Sequence, residues 1–574
     1  MNLLLFFGGA ALCIAWLLPG HYFPWWTFQQ EFAAALGALM IGMAACMAKR
    51  IAWPVLALVS LATSVVPLIQ LAAGQLRFIS DATLAASYVA GFGLCIAAGA
   101  TLVRQLRVDI AGYVLGALAV AAFASVTMAL MQWFEVGTGA LIDAAPPAAR
   151  FYANFGQPNN LSTALAMGIS AVLLGHSRDK IGTPVAATVA GLLAWGMVMT
   201  QSRTGWLFVA LFAIGLIALR RRAALRPPPL AIVAAGLIFA LANWAWRPLN
   251  DLLLMSPQSA AAERLASGSL RLIHWQVIWD AMWQKPWQGY GWTQVAMAQQ
   301  AAAIGHPPTG EAIYSSHNIA LDLLVWNGVP IGLLLIGAIT WWLVRQFMLC
   351  RSAERAFPLA AVGAVLLHGL LELPLEYAFF LLPTGLLMGA LDAQDPPTPA
   401  LTSHRGFFAV PLFALAALTA WVGVEYVKVD ETGRVLRFVA MGIGIDKVSV
   451  APEPDVVLLD RPRNLHRFML TPAHVDNDPE YLRWVRDVAM RNPMAPAMLR
   501  HALAAGLNGQ PAEAGLVLVR LCKLHMNEMC DQGRASWAQL QAQHPQLISI
   551  PYPTQVSTPR IPERPNLIHS QRGG

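Results

Sequence analysis

Apolar residues gather into long stretches separated by short polar joints, over roughly 3–18, 32–48, 51–73, 82–103, 110–134, 161–175, 183–200, 204–219, 229–246, 317–346, 358–373, 375–391 and 407–427. A helix needs about 20 apolar residues to cross a bilayer. Most stretches meet or approach that length, and Trp and Arg at the ends of the shorter ones anchor them. Residues 358–391 form one apolar run that would be about 50 Å long as a single helix. Glu372-Leu373-Pro374-Leu375-Glu376 interrupts its middle, so it reads as two short helices meeting at one face. Beyond 427 the pattern becomes polar, with helical periodicity over Pro479–Met490, Pro493–Gly506, Pro511–Met526 and Gly533–Gln543. Small residues at Ala502, Ala504, Ala512 and Ala514 suit helical-hairpin packing of a tetratricopeptide-like kind. The expected fold is an all-α polytopic membrane protein of about 13 transmembrane helices. Its divisions are a membrane part over 1–427, containing an outer loop over 247–316, a helical domain over 428–550, and a disordered end over 551–574 rich in Pro, Arg and Ser.

Composition agrees with this pattern. Of 574 residues 57% are hydrophobic and only 12% charged, against about 25% charged in a soluble domain. Mean hydropathy is +0.53. The net charge of +7 is divided among Lys49-Arg50, Arg104/Arg107, Arg178/Lys180, Arg220-Arg221-Arg222/Arg226 and Arg345/Arg351/Arg355. These follow alternate stretches and fall on one side, which the positive-inside rule makes cytoplasmic. Such scattered clusters set topology and are not a nucleic-acid face. The loops near 19–31, 74–81, 135–160, 201–203 and 247–316, and the tail, then lie outside. Cys13, Cys46, Cys95 and Cys350 sit in or beside apolar stretches as small packing residues. Cys522 and Cys530 would lie about 12 Å apart on a straight helix. They form a bond only if the chain turns back near His525–Asn527, and are otherwise two independent thiols.

The outer joints carry the candidate chemistry. Phe151-Tyr152-Ala153-Asn154-Phe155-Gly156-Gln157-Pro158-Asn159-Asn160 precedes an apolar helix. A helix cap accounts for one Asn, Asn159 or Asn160; three Asn and a Gln together suit a hydroxyl-rich ligand such as a sugar. Gln201-Ser202-Arg203-Thr204-Gly205-Trp206 places Arg203 where positive charge is normally sparse, as an anion ligand would be, or as an interfacial Arg extended toward water. Ser315-Ser316-His317-Asn318 closes the longest outer loop and leads into a helix holding Asp322; His317 is a candidate proton carrier. His368 with Glu372 and Glu376 forms a polar group at the bilayer edge that either positions a catalytic cation or forms a solvated turn. Arg271, His274, Trp275 and Ile278 recur at helical spacing, which predicts an amphipathic helix lying along the membrane. The same loop holds Arg264 and Tyr290.

No Walker motif, complete dinucleotide fingerprint or Cys/His metal cluster appears in the sequence, so no cofactor is expected and any reaction draws its energy from the substrate. Asp476/Asp478 in the tail reads as a solvated turn. A transporter would be expected to show mid-membrane charges or inverted repeats, and neither stands out.

Four segments in this order resemble the O-antigen ligase and polymerase superfamily, and more closely the PglL-type bacterial protein O-oligosaccharyltransferases. They are Asn154-Phe155-Gly156-Gln157-Pro158-Asn159-Asn160-Leu161, Gln201-Ser202-Arg203-Thr204-Gly205, His317-Asn318 with the following Trp326-Asn327-Gly328-Val329-Pro330-Ile331-Gly332, and the segment from His368 to Pro383. The likeness covers roughly 150–391. It implies an inner-membrane glycosyltransferase with its site facing the periplasm. The donor would be a glycan on undecaprenyl pyrophosphate, and the acceptor a Ser or Thr hydroxyl of a pilin-like protein. Transfer would be inverting and metal-independent, with the lipid pyrophosphate as leaving group. Under the resemblance His317 activates the acceptor hydroxyl or assists at the pyrophosphate, and Arg203 is its catalytic partner. Arg203, Arg271, Gln157 and Asn159 would bind donor sugar or pyrophosphate, while Tyr377, Glu372 and Asn318 would receive the acceptor or orient the site. Where many relatives carry His after the Asn, this chain has Asn160, so no base is expected there. The same resemblance admits an O-antigen ligase acting on lipid A-core, or a polymerase of lipid-linked repeats.

Overall fold

A computed structural model describes residues 1–553 apart from 22, 138, 146–149, 254, 256–269, 395–400, 441–452 and 477. Arg264 and the stretch 554–574 of the expected disordered end therefore lie outside the described residues. The chain is a multi-pass helical membrane protein. Among the described residues seven helical spans are each long and apolar enough to cross a bilayer, Val55–Ala72 counted as one of them, and shorter apolar helices pack among them.

The first helices are α1 (Asn2–Leu17), α2 (Phe28–Ala45), α3 (Val55–Thr63), α4 (Val66–Ala72), α5 (Ile79–Leu106), α6 (Ile110–Trp133), α7 (Pro158–Ser177), α8 (Thr183–Thr200), α9 (Arg203–Leu219) and α10 (Pro229–Leu252). An outer segment follows with α11 (Leu270–Gln284) and α12 (Val295–Ala302). The chain re-enters through α13 (Ile319–Leu349), α14 (Ala353–Gly369), α15 (Ala378–Ala393) and α16 (Gly406–Ala440).

The structure departs from the expected pattern in three places. The 51–73 stretch is not one helix: strand β1 (Arg50–Trp53) precedes α3, and the helix is interrupted before α4. The second departure is that β1 pairs antiparallel with strand β2 (Leu401–His404), a two-stranded ribbon in a fold expected to be all-α. The third is that α16 runs through residue 428, so the polar tail starts as a continuation of a membrane helix.

Helix α15 forms the centre, buried along nearly its whole length. It packs on α5 through glycine: a Cβ added to Gly389 would lie 2.0 Å from the Ile96 carbonyl. Membrane helices gain little from burying apolar surface against one another, so close backbone approach is a main source of attraction.

The basic clusters meet at one end of the bundle. Arg178 pairs with Asp109 and Glu354, Arg226 with Asp179, and Arg104 donates to the Asp392 carbonyl. Arg222 bonds the Cys350 carbonyl, and the ribbon is tied to α5 by Ala52 N donating to Thr101 Oγ1 at 3.0 Å.

At the opposite end the tail folds over the bundle as α17 (Asp460–Leu470), α18 (Pro479–Arg491), α19 (Ala495–Leu507), α20 (Pro511–Leu524) and α21 (Asn527–Gln543). Helix α17 has no counterpart in the sequence reading. Ala502, Ala504 and Ala514 are fully buried as expected, but Ala512 is exposed in the first turn of α20. Cys522 and Cys530 form a disulfide with Cα atoms 4.8 Å apart, because the chain reverses between Leu524 and Asn527. The tail is keyed to the bundle by charge. Asp460 accepts from the first two amides of α5, Ile79 and Ser80. Asp81 is buried and is bound by Arg491 and Arg461.

Candidate active site

The site forms at the tail-side end, where four polar joints converge on Glu372. This carboxylate lies between α14 and α15, is 4% exposed, and divides its two oxygens. Oε2 lies 2.7 Å from His317 Nδ1. Oε1 binds the Arg271 guanidinium and accepts from Asn159 Nδ2 at 3.2 Å. Asn159 Oδ1 in turn accepts from Ser202 Oγ at 2.7 Å. Burial alone would raise the Glu372 pKa. The hydrogen bond from His317 and the charge of Arg271 outweigh it and hold the carboxyl down at about 2, so Glu372 is a fixed negative charge.

Local sequence explains each position. Pro158 starts α7, with Gln157 as the residue before it. Asn159 and Asn160 therefore sit inside the first turn, and neither caps the helix as the sequence suggested; their side chains are released toward the site. Ser202 caps α9 by accepting from Gly205 N, which fixes Arg203 as the first helical residue. Arg203 lies within electrostatic range of Arg271 and Glu372 and forms no ion pair among the described residues.

His317 is held by its own loop. Its φ of 57° is left-handed, a region a non-glycine residue adopts only when its surroundings compel it. Asp322, one turn into α13, supplies the constraint: Oδ2 accepts from Ser315 Oγ at 2.7 Å and Oδ1 from Ser316 N at 2.9 Å. Asn318 Oδ1 caps α13 by accepting from Ala320 N and Leu321 N, so that oxygen is committed to the helix. Trp275 Nε1 donates to the Ser316 carbonyl at 2.8 Å. Arg271 and Trp275, one turn apart on α11, thus hold Glu372 and the His317 loop together. Helix α11 forms as its spacing predicts, with His274 and Ile278 on the buried side and Trp279 and Trp283 exposed.

The Trp326–Gly332 motif is a break in α13. Gly328 has φ 78° and ψ 168°, which leaves the Val325 and Trp326 carbonyls free of the helix. Tyr290 N and Gly291 N bond them at 2.7 and 3.2 Å. Trp292 Nε1 donates to Asn327 Oδ1 at 2.8 Å. The outer segment is therefore docked onto a helix opened at a glycine, as broken membrane helices are satisfied by neighbouring backbone.

Asn154 lies in the loop core, donating to the Leu17 and Leu141 carbonyls. His368 is buried against Thr163, 2.9 Å from Nδ1. Tyr377 stacks on Phe379 at 5.2 Å, with its hydroxyl at the Asn160 side chain. Glu376, one residue earlier, faces away from Glu372 into a cavity of about 600 Å³. Burial first, and then the Asp322 carboxylate, push its pKa up to about 8. Sequence reasoning missed Ser202, the link between two motifs, and Glu31, which Tyr88 and Thr27 bind in the wall of the same cavity.

Residues 188–337 match the O-antigen ligase family model. Residues 357–543 match the model described as virulence factor membrane-bound polymerase, C-terminal. The chain is 32% identical over 476 residues to a general O-oligosaccharyltransferase of Acinetobacter baylyi, covering 79% of this chain and 82% of that protein. It is 29% identical over 273 residues to a ComP-specific O-oligosaccharyltransferase of the same strain, covering 47% of this chain and 49% of the relative.

Proposed function

Because the chain belongs to the O-oligosaccharyltransferases of the O-antigen ligase superfamily, we propose that it transfers an oligosaccharide en bloc from undecaprenyl pyrophosphate to Ser or Thr hydroxyls of a pilin-like protein. The observation that carries this reading is the convergence of Arg203, Arg271 and His317 around the single carboxylate Glu372. Arg203 stands beside Arg271 and Glu372 without an ion pair of its own among the described residues, and offers its positive charge to a second anion. Arg offers a planar fork matched to phosphate oxygens. A lipid pyrophosphate leaving from this cluster supplies the driving force. Gln157 and Asn159 border it as sugar or phosphate ligands, and Tyr377 and Asn318 stand on the acceptor side.

The gathering of the basic clusters at the opposite end supports a periplasmic site in the inner membrane. Thirteen crossings are the reading that places α1 to α16 consistently with those clusters, counting α3 and α4 as one crossing and leaving α11 and α12 outside. The tail then lies in the periplasm as a domain of tetratricopeptide-like hairpins, an oxidising location that suits its disulfide. The exposed Trp row of α11 is placed for the membrane interface.

The test is reconstitution of the full chain with lipid-linked glycan in the presence of a pilin, or of lipid A-core. Glycan on the protein is the expected result. Glycan on lipid A-core alone would make the chain a ligase.

A further inference from the structure

The site has two unlike sides. On one, the guanidinium groups of Arg203 and Arg271 flank the His317–Glu372 pair. On the other lies the cavity of about 600 Å³, walled by α5, α13, α15 and α16 and roofed by Arg461 and Leu465 of the tail. Of the site residues, Glu376 and Tyr377 line this cavity. The turn Pro374–Glu376 thus separates two carboxylates four residues apart, sending Glu372 to the cations and Glu376 to the opposite side.

This division fits the stereochemistry of a single displacement. An inverting transfer needs the incoming hydroxyl on the face of the anomeric carbon opposite the leaving group, with its base on that face. His317 stands on the pyrophosphate side: Glu372 holds its Nδ1, and the Arg203 and Arg271 guanidinium groups lie beside that pair. Glu376 has what a base requires. Its Oε1 is buried and meets no hydrogen-bond partner among the described residues, and its side chain is part of the cavity lining. Its neighbours suit proton exchange: Asp322 and the Ser315 hydroxyl from the His317 loop, Glu31 from α2, Tyr88 from α5, Tyr377 beside it, and Arg491 from the tail.

We propose that Glu376 is a catalytic residue that takes the proton of the acceptor hydroxyl, with His317 serving the pyrophosphate. The acceptor oxygen bonds to the anomeric carbon as the bond from that carbon to the phosphate oxygen breaks. The electron pair leaves with the lipid pyrophosphate, held by Arg203 and Arg271, and the hydroxyl proton passes to the Glu376 carboxylate. A carboxyl whose proton affinity is raised toward neutrality is matched to this work. This assignment rests on the transferase reading above.

The test compares wild type, E376Q and E376D, full length and reconstituted, on lipid-linked glycan with a pilin and with lipid A-core. E376Q has the shape of the protonated side chain and cannot accept a proton. Its kcat is expected to fall on the order of 10²–10⁴-fold, with donor KM unchanged and elution and melting as wild type. E376D should recover part of the loss. Wild-type kcat should rise with pH through a midpoint near 8, and that limb should vanish in E376Q. An E376Q enzyme within threefold of wild type overturns the proposal, as does a slow E376Q enzyme that keeps the wild-type pH limb. If wild type modifies lipid A-core alone, the protein-acceptor reading falls, and the E376Q to wild-type ratio on that lipid still decides the role of Glu376.

Discussion

His317 Nδ1 lies 2.7 Å from Glu372 Oε2, and this contact fixes which nitrogen of the imidazole faces the site. With Glu372 ionised, Nδ1 carries the proton and Nε2 is presented outward. E372Q keeps the shape but not the charge, and Gln can present a donor to Nδ1 and reverse the tautomer. It should lower kcat on the order of 10²–10⁴-fold, as loss of an orienting carboxylate does elsewhere, in a glycan-transfer assay on protein that retains wild-type elution.

The same carboxyl makes a pH prediction. Its folded pKa is lowered, from 4.5 to about 2, so its contribution is complete above 4.5 and is lost as pH falls toward 2. The shift corresponds to about 3 kcal/mol. The gap in melting temperature between wild type and E372Q should stay constant from neutral pH down to about 5, then narrow on further acidification.

Arg203 should be needed for its geometry as well as its charge. R203A is expected to lower kcat/KM about 10²–10³-fold, the scale for losing one transition-state anion donor. R203K should recover little, since an ammonium lacks the fork. Inorganic pyrophosphate should inhibit wild type and inhibit R203A more weakly.

Tail docking should depend on Asp81. D81N leaves Arg491, 4% exposed, without its counter-charge, at a cost of about 3–5 kcal/mol. Limited proteolysis should release the tail faster from D81N than from wild type. The double variant D81N/R491Q should lose less than the two singles together, because the residues share one interaction.

The disulfide closes a loop with a sequence separation of 8. Chain entropy for so short a loop gives about 2.5 kcal/mol. C522S/C530S should be less stable than oxidised wild type by that amount and melt earlier, and reductant should move wild type toward the variant. The Lys523 carbonyl accepts from Thr309 N at 2.8 Å and the Lys523 ammonium bonds the His306 carbonyl. The change should therefore reach the outer segment that leads to His317.

Much of this site is conspicuous in the sequence because the rest of the chain is apolar. Arg203, His317 and Glu372 stand out at the ends of hydrophobic stretches, where an unpaired charge is costly. Partner choice is not written there. Glu372 and Glu376 look equivalent in Glu372-Leu373-Pro374-Leu375-Glu376, and only the turn between them sends one to the cations and the other to the cavity. Asn159 looks like a cap until Pro158 is seen to occupy the first helical position. Helix α17 escapes notice because its sequence, Asp460–Leu470, carries three arginines and a histidine and has no apolar run. The break at Gly328 lies within an apolar stretch whose hydropathy is continuous, so only backbone conformation reveals it.

The ribbon of Arg50–Trp53 with Leu401–His404 bears on the order of biosynthesis. Its first strand leaves the ribosome roughly 350 residues before its partner, about 20–70 s earlier at ordinary elongation rates. During that interval β1 has an open edge, which seeks backbone partners of any origin, and the final helix has not yet been made. Pairing with β2 closes that edge only after residue 404 of the 574 has been made. A nascent protein cut short before residue 401 would keep it exposed, giving quality-control proteases a mark that finished copies do not display.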